Sequence, residues 1–130
     1  KGEIVDTFVY YMGQMLEGKG PAFTILLLFV FVTILNFFVD SGSGKAVMMM
    51  PIMSPLGKIL GINQQVMVLT YQFGDGFTDY LWPAGALVPC QLCGLKYDVW
   101  VKFSARAMTI QLAAGYIMVL IAHHINLGPF

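Results

Sequence analysis

The chain has 130 residues, seven of them basic and seven acidic, with zero net charge, 58% apolar residues and a mean hydropathy of +0.74. Soluble domains average about 45–50% apolar and about 25% charged residues, and so few charges cannot keep the surface of a domain this size wet. Lipid is the solvent this composition points to, and the neutral charge excludes the basic footprint of a nucleic-acid binder.

The first residue is Lys1, and Ile4 to Leu16 is too interrupted by Asp6, Thr7 and Gln14 for a signal peptide. The chain therefore reads as a piece of a longer membrane protein. Ile4, Val5, Phe8, Val9, Met12, Met15 and Leu16 recur at helical spacing opposite Glu3, Asp6, Thr7 and Gln14. Residues 1–20 are thus expected to form an amphipathic arm at the interface, the tail of a spanning helix being the alternative.

Phe23 to Val39 is an apolar run broken only by Thr24, Thr33 and Asn36. At 1.5 Å per residue it is about 26 Å long, just under a hydrocarbon core of about 30 Å. Asp40 to Lys45 follows as a polar Ser/Gly tract. The next apolar run, Ala46 to Leu60, is punctuated by Pro51 and Pro55. Two sub-spanning limbs around a polar tip predict a re-entrant hairpin over 21–60 with its tip at 40–45. A solvated turn between two spans is the competing reading.

Residues 61–95 are expected to form one discontinuous helix. Gln64 to Phe73 is apolar but only about 15 Å long, and Gly74-Asp-Gly76 interrupts it before a second apolar run from Leu81 to Leu95. Unwound backbone at membrane depth is tolerated only where protein or a wet cavity surrounds it. Residues 96–130 read as a polar junction, Lys96 to Lys102, and a final span from Met108 to Ile125. Lys96, Lys102 and Arg106 place the 96–102 junction in the cytoplasm and the C-terminus outside.

Asp40, Asp75 and Asp79 fall at breaks inside apolar segments. Each costs roughly 2.5–3.5 kcal/mol near a helix centre, so a cation, a proton, helix N-termini or water must offset them, and intramembrane carboxylates are functional candidates by default. At a helix break, free carbonyls suit Na⁺ and free N–H groups suit a carboxylate. Ser41, Ser43 and Thr78 add hydroxyls, and Gly42, Gly44, Gly74 and Gly76 allow close backbone approach. Na⁺ is accordingly expected near Ser41, Ser43, Asp75 and Thr78. Lys45 is expected to neutralise Asp40 or to meet an anionic substrate. A phosphate-binding loop is excluded: Val39 stands where its first glycine is required and Ala46 where its hydroxyl is required. Cys90 and Cys93, with no further cysteine or nearby histidine, make neither a disulfide framework nor a zinc site. Gly57 and Gly61 are assigned to the turn in preference to helix packing.

Asn36 to Ala46, Met50 to Leu56 and Tyr71 to Thr78, in that order and spacing, resemble the YfcC-type permeases. These are relatives of the C4-dicarboxylate carriers and of the AbgT transporters in the ion transporter superfamily. The resemblance implies the C-terminal part of a secondary transporter built from inverted repeats, with Ser41 to Gly44 as hairpin tip, Gly74 to Thr78 as unwound helix and the arm linking scaffold to transport elements. Asp40 stands where that family usually has proline, and Asp79 where it has asparagine. The expected site is Asn36, Ser41, Gly42, Ser43, Gly44, Gly74, Asp75, Gly76 and Thr78, with Asp40, Lys45, Gln72 and Asp79 as additions.

The resulting expectation is an all-α transporter fragment, not an enzyme and without a cofactor, in a bacterial inner membrane. It would move a small carboxylate-bearing solute with Na⁺ or H⁺ by elevator-type alternating access. Expected partners are the bilayer, the N-terminal half of the same protein, the solute and a second copy. A non-transporting membrane subunit is the alternative.

Overall fold

The computed structural model describes residues 7, 10, 11, 13–16, 18–39 and 41–128. It is all-helical, with no strand among the described residues. Among the described residues from 18 onward, five helices follow in order: α1 (Pro21–Phe38), α2 (Gly42–Ile59), α3 (Gln64–Gly76), α4 (Pro83–Leu92) and α5 (Tyr97–His124). The described residues between 7 and 16 are helical, and Leu16 is buried in the core while Tyr10, Tyr11 and Met15 are exposed. The remaining positions of the expected arm's apolar face lie outside the described residues.

Helix α3 is the axis of the fold, with α1, α2 and α5 all packed on it. Thr24, Ile25, Leu28, Phe29, Val32 and Asn36 form the buried stripe of α1. Lys45, Met49, Met53 and Leu56 form that of α2, and Val66, Met67, Thr70, Tyr71, Gly74 and Asp75 that of α3. Each stripe repeats every three to four residues, the period that keeps one helix face turned inward. Gly74 lets α1 and α3 close up, since a β-carbon there would stand 3.1 Å from the Phe29 carbonyl oxygen. Gly57 does the same for α2 and α3 against Met67, so it packs helices as well as preceding the turn. Gly61 supplies that turn with its left-handed φ of 65°, which lets the Ile62 N–H reach the Gly57 carbonyl at 2.8 Å.

Large apolar side chains also line the outside. Phe23, Leu26, Val30, Ile34 and Phe37 run along the exposed face of α1, and Val99, Phe103, Ile110, Ile117 and Ile121 along that of α5. Both helices are long and apolar enough to cross a membrane.

Three segments differ from the sequence expectation. The expected tip at 40–45 is mostly helix, because α2 begins at Gly42: the Ser41 hydroxyl caps the Gly44 N–H at 3.2 Å, and the Lys45 N–H bonds the Ser41 carbonyl at 2.8 Å. Gly74, Asp75 and Gly76 complete α3 instead of unwinding it. Phe73 stacks on Phe77 with centroids 5.1 Å apart, and the Thr78 hydroxyl lies 3.3 and 3.2 Å from the carbonyls of Gly74 and Asp75, so the last turn keeps its partners. The interruption falls at residues 77–82. There the Trp100 indole N–H donates to the Tyr80 carbonyl at 2.7 Å and the Tyr97 hydroxyl to that of Leu81 at 2.8 Å. The expected junction at 96–102 is the start of α5, which opens at Tyr97 and runs about 42 Å to His124.

Candidate functional site

Where the buried stripes of α1, α2 and α3 reach their polar ends, they meet. Asn36 and Lys45 are each 1% exposed, Thr78 is fully buried and Asp75 is 7% exposed. The Lys45 ammonium pairs with the Asp75 carboxylate and donates to the Asn36 Oδ1. The Asn36 amide nitrogen lies 2.8 Å from the Asp75 carbonyl oxygen, 2.7 Å from the Thr78 hydroxyl and 2.7 Å from the Asp79 Oδ1. An amide carries two N–H donors and faces three acceptors here, so the third is shared.

Helix ends set the electrostatics. Helices α1 and α3 bring their C-terminal ends to this point, each with the partial negative charge of unpaired carbonyls, whereas α2 begins there. A cation in the first turn of α2 opposes that helix's own dipole. Lys45 resolves the conflict by extending to the α3 end, where the dipole and Asp75 both favour positive charge. Ser41, Gly42, Ser43 and Gly44 stay exposed at the α2 N-terminus. Asp75 also borders this turn, because a β-carbon on Gly42 would lie 3.5 Å from its Oδ2.

Of the residues expected in the site, Asn36, Lys45, Asp75, Thr78 and Asp79 share one hydrogen-bonded cluster, with Asp79 on its exposed rim. Gly74 serves helix packing beneath it. Gln72 and Gly76 lie on the exposed side of α3, and Asp40 lies outside the described residues. The ion-pair partner of Lys45 among the described residues is Asp75, thirty positions away.

Two further residues join the cluster. The Tyr71 hydroxyl donates to the Gly42 carbonyl at 2.8 Å, which ties the start of α2 to α3. The Thr33 hydroxyl lies 2.9 Å from the Phe29 carbonyl and 3.3 Å from that of Gly74. Spacing is the signal that marks them: Tyr71 stands four residues before Asp75, and Thr33 three before Asn36, on the same helix faces.

Comparison with known proteins matches residues 1–124 to the family model described as DcuC, C4-dicarboxylate anaerobic carrier. The chain is 32% identical, over 90% of its length, to a protein of Escherichia coli (strain K12) named "Putative basic amino acid antiporter YfcC". It is 36% identical, over 93% of its length, to an uncharacterized protein of Haemophilus influenzae (strain ATCC 51907 / DSM 11121 / KW20 / Rd). In both cases the match covers 24% of the relative, so the chain spans about a quarter of the length of these relatives. No solved structure matches. The apolar outer faces of α1 and α5, both long enough to cross a membrane, fit these relationships, and the chain belongs to the C4-dicarboxylate anaerobic carrier (DcuC) family.

Proposed function

We propose that this chain supplies one part of the solute and ion site of a secondary active transporter. A small carboxylate-bearing solute, such as a dicarboxylate or an amino acid, moves with Na⁺ or H⁺ by elevator-type alternating access. The observation that carries this reading is the convergence of the α1–α2 turn with the end of α3 on the Asn36–Lys45–Asp75 cluster. Helix α3 has 13 residues, about 20 Å, so with Gln64 at the edge of a hydrocarbon core of about 30 Å its Asp75 end lies within that core. The α1–α2 turn shares that depth, which supports a re-entrant hairpin. The exposed first turn of α2 offers N–H groups and a positive dipole end to a carboxylate. A basic amino acid, the solute class in the YfcC name, adds a cationic group suited to exposed Asp79.

In this reading the rest of the transporter contributes the inverted repeat with the other half of the site, and two copies form a homodimer. The membrane is a bacterial inner membrane, with the start of α5 facing the cytoplasm because Lys96, Lys102 and Arg106 gather there. The test is uptake of labelled C4-dicarboxylates and basic amino acids by the intact protein in proteoliposomes, under imposed Na⁺ or H⁺ gradients. Asp75→Asn should abolish gradient-driven uptake. Unchanged uptake by Asp75→Asn would remove Asp75 from the coupling site.

A further inference from the structure

The cation position beside Asp75 already has an occupant. A carboxylate, an amide oxygen and the C-terminal ends of α1 and α3 converge on one point, the arrangement that would hold a monovalent cation between helix ends. What stands at that point is the Lys45 ammonium. Its side chain is almost wholly buried and continues the apolar stripe of Met49, Met53 and Leu56. A surface lysine keeps its head in water; this one carries it inward to two fixed oxygen acceptors.

We propose that the Asn36–Asp75 pocket is a monovalent-cation site of alkylammonium type whose resident cation is tethered, namely Lys45. Truncating Lys45 therefore opens a site for a free primary ammonium ion. A cation competing for Asp75 must displace Lys45 first. The proposal deepens the transport reading: it rests on that reading for its meaning in coupling, while the existence of the site is tested separately. If a cationic solute group or a coupling ion uses Asp75, exchange with Lys45 is the step that links binding to movement of α2 relative to α3.

Thermal unfolding of the intact protein in detergent, at constant ionic strength, tests this. In Lys45→Ala the missing atoms beyond Cβ correspond to n-propylammonium. The wild-type midpoint should be insensitive to n-propylammonium and to replacing Na⁺ by N-methylglucamine. Lys45→Ala should melt about 5–10 °C lower, as expected for one buried charge left unpaired. Millimolar n-propylammonium should recover at least half of that loss. The Lys45→Ala/Asp75→Asn double variant should recover stability without added amine and ignore it. If Lys45→Ala does not fold, folding of the double variant supports the pairing, and its failure to fold counts against the proposal.

A Na⁺-dependent rise of the wild-type midpoint that is lost in Asp75→Asn and is no larger in Lys45→Ala would overturn the proposal, because Na⁺ would then bind Asp75 without competing with Lys45. A folded Lys45→Ala that ignores n-propylammonium would overturn it as well. Amine rescue together with full gradient-driven uptake by Asp75→Asn would leave the cation site standing and remove the transport reading.

Discussion

Asn36 holds the cluster together, and its removal gives the most informative structural test. Replacement by alanine deletes an amide whose nitrogen lies within 2.8 Å of the Asp75 carbonyl, the Thr78 hydroxyl and the Asp79 carboxylate, and whose oxygen accepts from Lys45. With two N–H donors, two of those three contacts count as full bonds. Side-chain hydrogen bonds between membrane helices average about 0.6 kcal/mol each. The bond from the ammonium is charge-assisted and contributes about 1.5–3 kcal/mol. The sum, about 3–4 kcal/mol, is a large share of a typical stability of about 5–15 kcal/mol. Asn36→Asp sharpens the test, because it keeps an oxygen toward Lys45 but turns a third carboxylate toward Asp75 and Asp79. It should destabilise at least as much as Asn36→Ala at neutral pH, because the two N–H donors are lost as well. Unfolding of the intact protein in detergent, followed by helical circular dichroism, reads both variants. A loss below about 0.5 kcal/mol in Asn36→Ala would refute the reasoning, since only exposed sites behave that way.

Two packing and capping predictions accompany it. Gly74→Val should destabilise by about 3 kcal/mol, because its β-carbon would press on the Phe29 carbonyl and Val32. Gly76→Ala, with only the Gln72 side chain 3.9 Å from the new carbon, should stabilise by up to about 1 kcal/mol; equal effects at both positions would mean that α1 and α3 do not pack through Gly74. Tyr71→Phe should cost about 1 kcal/mol through loss of its bond to Gly42, with faster amide exchange confined to the first turn of α2.

The membrane character, the all-helical class and the family were legible in the sequence, since they rest on composition, apolar periodicity and ordered motifs. Asn36 was legible as a site candidate because it opens the motif that carries the family resemblance, and Asp75 because a carboxylate inside an apolar run requires compensation. The state of the two polar tracts was not. Ser-Gly-Ser-Gly reads as loop by propensity, yet Ser41 caps a helix that starts at Gly42. Gly-Asp-Gly reads as a break, yet packing of Gly74 on α1 and the Thr78 hydroxyl keep α3 helical to Gly76. Propensity is a weak prior, and a side-chain cap in the first tract and helix packing with side-chain hydrogen bonds in the second override it.

By itself the sequence determined which carboxylates are too polar for their surroundings and need compensation, Asp40, Asp75 and Asp79, and marked Asn36, Lys45 and Thr78 as further site candidates. Only the tertiary structure decided the pairing. Lys45 was expected to answer Asp40, which lies outside the described residues, or a substrate; among the described residues it pairs with Asp75. Local spacing reaches only about one helical turn along a chain, whereas Lys45 and Asp75 lie thirty residues apart. They meet because the inward stripes of α2 and α3 end at the same depth, so that the cation at the start of one helix reaches the negative end of the other.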